Sequence, residues 1–182
     1  MRRSSSARFL ALGVGVLVCL GLSLWSHEDP ASVTSDPGGE SAVVSRVIDG
    51  DTVDVNIVRQ VARVRVMGID APEMGHDGQE DECGADAATA SLSNLLPVGM
   101  TVQLVRDVAA EDMDSYGRLL RYVEVSGIDV GEQMVEQGMA EAWYPPSAAV
   151  PGRYSVYKQE ETRAQASATG LWALCPWLGR SG

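Results

Sequence analysis

Between residues 42 and 69, apolar and polar positions alternate with a period of two in three successive runs, AVVSRVI (42–48), TVDVNIV (52–58) and VARVRVMGI (61–69). Each reads as a half-buried β-strand, because successive side chains of a strand point to opposite faces. Asp49-Gly50 between the first two is a strong hairpin signal, and a second tight turn is expected near Arg59–Gln60. The same alternation returns at 101–106 (TVQLVR) and 119–125 (LLRYVEV). Other stretches change to helical spacing. The alanine-rich segment 84–96 carries Asp86 near its start, where the helix dipole favours an acid, and Pro97-Val98-Gly99 ends it. A second helix opens at Asp129 or Val130 and is stopped by Gly138, with Met134 and Val135 turned inward. A third runs over about 153–168, where Tyr154, Tyr157, Glu161, Ala164 and Ala168 form a packing stripe. Gly170-Leu171-Trp172 closes the domain, with Trp172 expected to be buried. Five short strands with helices after the third and fifth predict an α+β fold: a five-stranded OB-fold Greek-key β-barrel with three α-helices.

The ends of the chain follow other rules. Arg2, Arg3 and Arg8 precede 17 uncharged, mostly apolar residues, 9–25. Residues 1–26 therefore read as a signal peptide or an N-terminal membrane anchor, with attachment through residues 9–25 in the second case. Residues 27–41, rich in polar residues with prolines and a Gly-Gly pair, read as a flexible linker. The folded domain is placed at 42–175, with 176–182 as a tail. The 182 residues suffice for one domain of this size plus its appendages, and a monomer is expected. Either reading of the leader exports the domain, so it is secreted or held on the outer face of the cell membrane.

Charge and cysteines narrow the picture. Three of the 14 basic residues lie in 1–26 and all 25 acidic residues lie beyond it, so the exported part sets 11 basic against 25 acidic, a net charge of −14. With Lys158 the single lysine, there is no broad basic face, and any polyanion must be gripped by a local cluster of arginines. Cys19 lies in the leader, which leaves Cys83 and Cys175 as an even pair in an oxidising compartment, hence an expected disulfide. They lack the ligand spacing of a zinc site.

The candidate chemistry gathers in 47–73. Asp49 and Gly50 taken alone are turn residues, but a hairpin needs no second acid at Asp51. Asp70 and Glu73 flank Pro72 in a loop leaving a strand, and Arg65 points away from the face of Val64 and Val66. Oxygen ligands, a potential base and a guanidinium in one unit point to metal-assisted phosphate chemistry. Arg118, after Gly117 at the head of the fifth strand, is placed to reach the same rim, whereas the run Gln79–Glu82 reads as an exposed acidic loop.

Five ordered motifs, VIDGDTV (47–53), RVMGIDAPE (65–73), DSYGR (114–118), VEQGMAEAWY (135–144) and AQASATGLW (164–172), carry a resemblance to the staphylococcal nuclease family, from about Val44 to Trp172. The resemblance implies a calcium site built from Asp51, Asp70 and the backbone carbonyl of Ala71, with Glu73 activating water. It implies Arg65 and Arg118 as phosphate-binding catalytic arginines and Tyr116 and Tyr144 as the rings flanking a bound nucleotide. Ser115 departs from the family, where a basic residue is common. The implied activity is calcium-dependent endonucleolytic cleavage of DNA and RNA leaving 3′-phosphate ends. The alternative is a non-catalytic OB-fold module that binds nucleic acid, and a third reading is a calcium-binding surface protein.

Overall fold

The computed structural model describes residues 39–75 and 78–175. The leader, the linker up to residue 38, His76 and the tail 176–182 lie outside the described residues. Three strands come first, β1 (Gly39–Val47), β2 (Thr52–Ile57) and β3 (Gln60–Val66), followed by the two-residue β4 (Ile69–Asp70). After helix α1 (Ala85–Leu95) come β5 (Thr101–Val105), β6 (Leu119–Val125) and the short β7 (Ile128–Asp129). Helix α2 (Val130–Glu136), the short β8 (Glu141–Ala142), helix α3 (Tyr154–Ala166) and a 3-10 turn at Gly170–Ala173 complete the order.

Strands follow one another around the sheet as β3-β2-β1-β5-β6, and β3 pairs again with β6, so five strands close into a barrel. The closing pair is parallel, with Val64 opposite Leu119 and Arg65 opposite Leu120; the other barrel neighbours are antiparallel. β1 starts at Gly39, where residues 39–41 pair with Val105, Leu104 and Gln103 of β5. A register irregularity between Val44 and Arg46 bends β1, which serves both β2 and β5. The alternation seen in the sequence is realised: Val44, Val53, Val55, Val64, Val66, Val102, Leu104 and Val123 are buried. Leu92 of α1 and Leu96 just after it, Met134 and Val135 of α2, Tyr157 of α3 and Leu171 join the same core. Cys83 and Cys175 form the expected disulfide across a separation of 92 residues.

The two turns are not built as the sequence pattern implies. Asp49-Gly50 lies in a loop of residues 48–51, closed by the Ile48 amide on the Thr52 carbonyl (2.9 Å). Gly50 is there for space: a Cβ would lie 2.6 Å from the Ala71 Cβ and 2.7 Å from the Ala88 Cβ. The second tight turn, expected near Arg59–Gln60, is present one residue earlier as a two-residue turn at Val58 and Arg59, with Ile57 opposite Gln60. Both residues have positive φ, 44° and 74°, the left-handed region that glycine and asparagine fill without strain. Trp172 is only partly buried, whereas Leu171 is fully so. The apolar contact that closes the domain is therefore carried by the leucine.

Left-handed backbone costs an ordinary side chain about 1–2 kcal/mol. Val58→Asn with Arg59→Gly should recover part of that and raise the Tm by about 2–4 °C for roughly 1 kcal/mol regained. No rise in thermal melts would show that the turn is not strained. Cys83→Ser with Cys175→Ser should lose about 2–5 kcal/mol in denaturant titrations, because the bond closes a long loop.

Candidate active site

Asp51 sits at the centre of the site. It lies in the loop before β2, its carbonyl receives the Val66 amide (2.8 Å), and its amide donates to Asp49 Oδ1 (3.0 Å). Its carboxylate is almost fully buried; Oδ1 accepts from the Thr52 hydroxyl (3.0 Å) and Oδ2 from the Ala71 amide (2.9 Å). The guanidinium of Arg65, on β3, lies 3.0 Å from the same Oδ2. Arg65 also donates to the Ile69 carbonyl (2.7 Å), the Val66 carbonyl (3.2 Å) and Asp70 Oδ1 (2.6 Å). The β4–β8 pair, Asp70 opposite Glu141, holds that loop against the end of the barrel.

Burial pushes the Asp51 carboxyl up to about 7; Arg65 and the Ala71 amide oppose this, and the charges of Asp49 and Asp70 add to it. Asp70 is raised by burial, against the pull of Arg65. Glu73 is an exposed residue, yet its carboxyl is raised as well, first by lost hydration and then by Asp49. The three thus share a region short of positive charge. Asp49, Asp51 and Glu73 each bring a carboxylate oxygen within 4.8 Å of the others. This all-oxygen, anionic donor set fits a divalent cation such as calcium, which would replace the missing charge.

Arg118 stands immediately before β6. Asp114 grips it twice, at the side chain (Nε to Oδ2, 2.6 Å) and at the backbone amide (2.9 Å), and the same carboxylate accepts the Tyr116 amide (2.9 Å). Tyr116 is 84% exposed, with the Arg118 guanidinium 5.4 Å from its ring centre. Tyr144 is braced edge-on by Tyr154, ring centres 4.7 Å apart. Arg65, Asp70, Glu73, Tyr116, Arg118 and Tyr144 all line one cavity of about 740 Å³. Its far wall includes Ala109 and Pro151, and Asp107 fixes that side by accepting from the Ala109 and Gly152 amides and the Tyr122 hydroxyl.

The structure brings together every residue singled out around this site, in a different grouping from the one expected for the metal. Asp51 and Asp70 meet on the Arg65 guanidinium, and Ala71 faces Asp51 through its amide. Asp49, which the sequence presents as a turn residue, joins Asp51 and Glu73 in one carboxylate cluster. The Asp-Gly-Asp run was the signal: Gly50 admits Ala71 and Ala88 so closely that its neighbours are carried into the interior. Asp107 left no comparable signal. The run Gln79–Glu82 also does more than face water, since Asp81 and Glu82 accept the Gly75 and Glu73 amides.

Comparison with known proteins agrees with this geometry. The family model described as staphylococcal nuclease homologue matches residues 63–174. The thermonuclease of Staphylococcus intermedius is 33% identical over 142 residues, 76% of this chain and 80% of that protein. The micrococcal nuclease of Shigella flexneri is 28% identical over 98% of this chain and 95% of its own length. The endonuclease YhcR of Bacillus subtilis is 28% identical over 80% of this chain, which corresponds to 12% of that longer protein.

The raised carboxyls fix a pH dependence. A carboxyl whose pKa is higher folded than unfolded favours the folded state below its unfolded value and loses that contribution as pH rises through its folded value. For Asp51 the window runs from 3.8 to about 7. Without metal, stability should therefore fall across that range, and a divalent cation, which competes with protons for these oxygens, should restore it. The rise in Tm on adding calcium should be larger at pH 8 than at pH 5. An equal rise at both would contradict the site.

Proposed function

The chain belongs to the staphylococcal nuclease family, and on that footing we propose that it is an exported, calcium-dependent endonuclease that hydrolyses phosphodiester bonds of DNA and RNA and leaves 3′-phosphate ends. One observation carries this reading: a potential base, two arginines and two tyrosines line a single cavity that adjoins the cluster of carboxylate oxygens. The expected leader and the Cys83–Cys175 bond support export.

The roles follow from the chemistry. Asp51, Asp70 and the Ala71 carbonyl are assigned to calcium, with Asp49 and Glu73 beside Asp51. Bound calcium supplies positive charge against a phosphate oxygen and lowers the pKa of nearby water. Glu73 takes the proton of the water that attacks phosphorus, a task open to a carboxylate kept ionised beside a cation. Arg118 presents its remaining donors to the non-bridging oxygens, where charge grows as phosphorus becomes five-coordinate. Arg65 is assigned the same role, its fork shared with Asp51 and Asp70. The bond to the 5′-oxygen breaks; that oxygen takes a proton from solvent and leaves as a 5′-hydroxyl, with the phosphate on the 3′ side. Tyr116 and Tyr144 flank the nucleotide, a contact that tolerates any base because every base has a π-face.

Glu73→Gln keeps the shape and removes proton acceptance, so kcat should fall by about 10²–10⁴-fold with KM for DNA nearly kept. Arg118→Ala should lose at least as much, because it withdraws charge from the transition state. The assay is calcium-dependent cleavage of single-stranded DNA by the folded variants. Wild-type turnover in Glu73→Gln would sink the mechanism. A wild-type chain that binds DNA without cutting it would identify the binding module instead.

A further inference from the structure

Glu73 is unusually well held for a residue in an exposed loop. Its amide donates to Glu82 Oε2 (2.9 Å), and its carbonyl accepts the Glu82 amide (3.0 Å). One residue therefore occupies both backbone polar groups of Glu73. The neighbouring contact from the Gly75 amide to Asp81 Oδ1 (2.7 Å) repeats the pattern two residues on. With its main chain fixed on both sides, Glu73 keeps its side-chain rotations, and its carboxylate comes within 4.8 Å of those of Asp49 and Asp51.

The other side of this clamp is anchored in the core. The Glu82 carbonyl accepts the Ala85 amide (3.1 Å) at the start of α1. Cys83, the next residue, is covalently joined to Cys175, which is buried. Gly84 then packs so tightly that a Cβ there would lie 2.5 Å from a Leu171 methyl carbon. The restraint runs from the disulfide and Leu171 through Glu82 to Glu73. What the clamp takes from the Glu82 side chain is one acceptor oxygen, Oε2.

We infer that Glu82 is a positioning residue for the Glu73 carboxylate, acting through the Glu73 backbone and anchored by the Cys83–Cys175 bond. The inference rests on the proposed role of Glu73 as base. Misplacing a reacting group by about 1 Å can cost about 10²-fold in rate. Loss of one exposed clamp bond, with the Glu82 amide still in place, is a smaller disturbance of the same kind.

The test is a double-mutant cycle in the full chain, with Glu82→Ala and Glu82→Gln made alone and combined with Glu73→Gln. Single-strand DNA cleavage at saturating calcium, calcium affinity by calorimetry and Tm are measured for each. Glu82→Ala should lower kcat by about tenfold and leave KM and calcium affinity unchanged. Glu82→Gln keeps an acceptor without the charge and should retain most of the rate. On the Glu73→Gln background, Glu82→Ala should cost nothing further, because the group it positions is already gone. Wild-type kcat in Glu82→Ala overturns the inference while leaving Glu73 as base. So does a glutamine variant as slow as the alanine one, which would assign the effect to charge. Full additivity on Glu73→Gln, or a drop in calcium affinity, overturns it in favour of a structural or ligand role. Normal turnover in Glu73→Gln alone overturns the role of Glu73 and this inference with it.

Discussion

The contact between Arg65 and Asp51 supports the rest of the site. One guanidinium, largely buried, touches Asp51, Asp70 and the carbonyls of Val66 and Ile69, and so joins the loop before β2, β3 itself and the segment of β4. A planar fork suits that task; a lysine ammonium would reach one carboxylate and leave the others. Removing one partner of a buried pair costs about 3–5 kcal/mol, against about 0–1 for an exposed one. Even so, one arginine does not balance the charge. Burial outweighs it at Asp51, whose carboxyl stays well above the ordinary range. The fold is organised around a cation and leaves room, electrostatically, for a second.

The barrel determines who can join Arg65. Parallel pairing of β3 with β6 puts Arg65 opposite Leu120, so Arg118, two residues earlier, comes to the same cavity. The short β4–β8 pair brings the 140s segment, and with it Tyr144, to that side. Distances along the chain of about fifty to eighty residues are thereby collapsed into one pocket by backbone hydrogen bonding. The side chains then need little further help: Asp114 aims Arg118, and Tyr154 braces Tyr144.

Much of this was legible in the residues. Alternation located all five barrel strands because one face of each is buried, and Val44, Val53, Val55, Val64 and Val66 bear it out. Arg65 stood out as a charge within such a run. Helix ends were marked by Pro97 and Gly138. Other features had no local signature. Val58 and Arg59 do not announce a left-handed turn; the strand pairing imposes it. Asp49 and Gly50 look like a hairpin, and only the approach of Ala71 and Ala88 from distant segments shows why the glycine is required. Trp172, expected to be buried, is only partly so, and Leu171 occupies the interior instead. Glu82 looked solvated because its partner, the Glu73 amide, is backbone, which sequence patterns do not display.

The seam between β3 and β6 has a consequence for when the chain becomes dangerous. The two arginines lie on opposite sides of it, and the seam joins residues 55 apart, Val64 and Leu119. Contacts this distant in sequence are among the costliest in loop entropy. An extended or partly folded chain therefore holds Arg65 and Arg118 with no fixed relation to each other, although both are already synthesised. On the roles proposed for Arg65 and Arg118, hydrolytic competence would belong to the closed barrel alone. A chain threaded unfolded across a membrane would carry every residue of the site past the producing cell's own nucleic acid in a form unable to act on it.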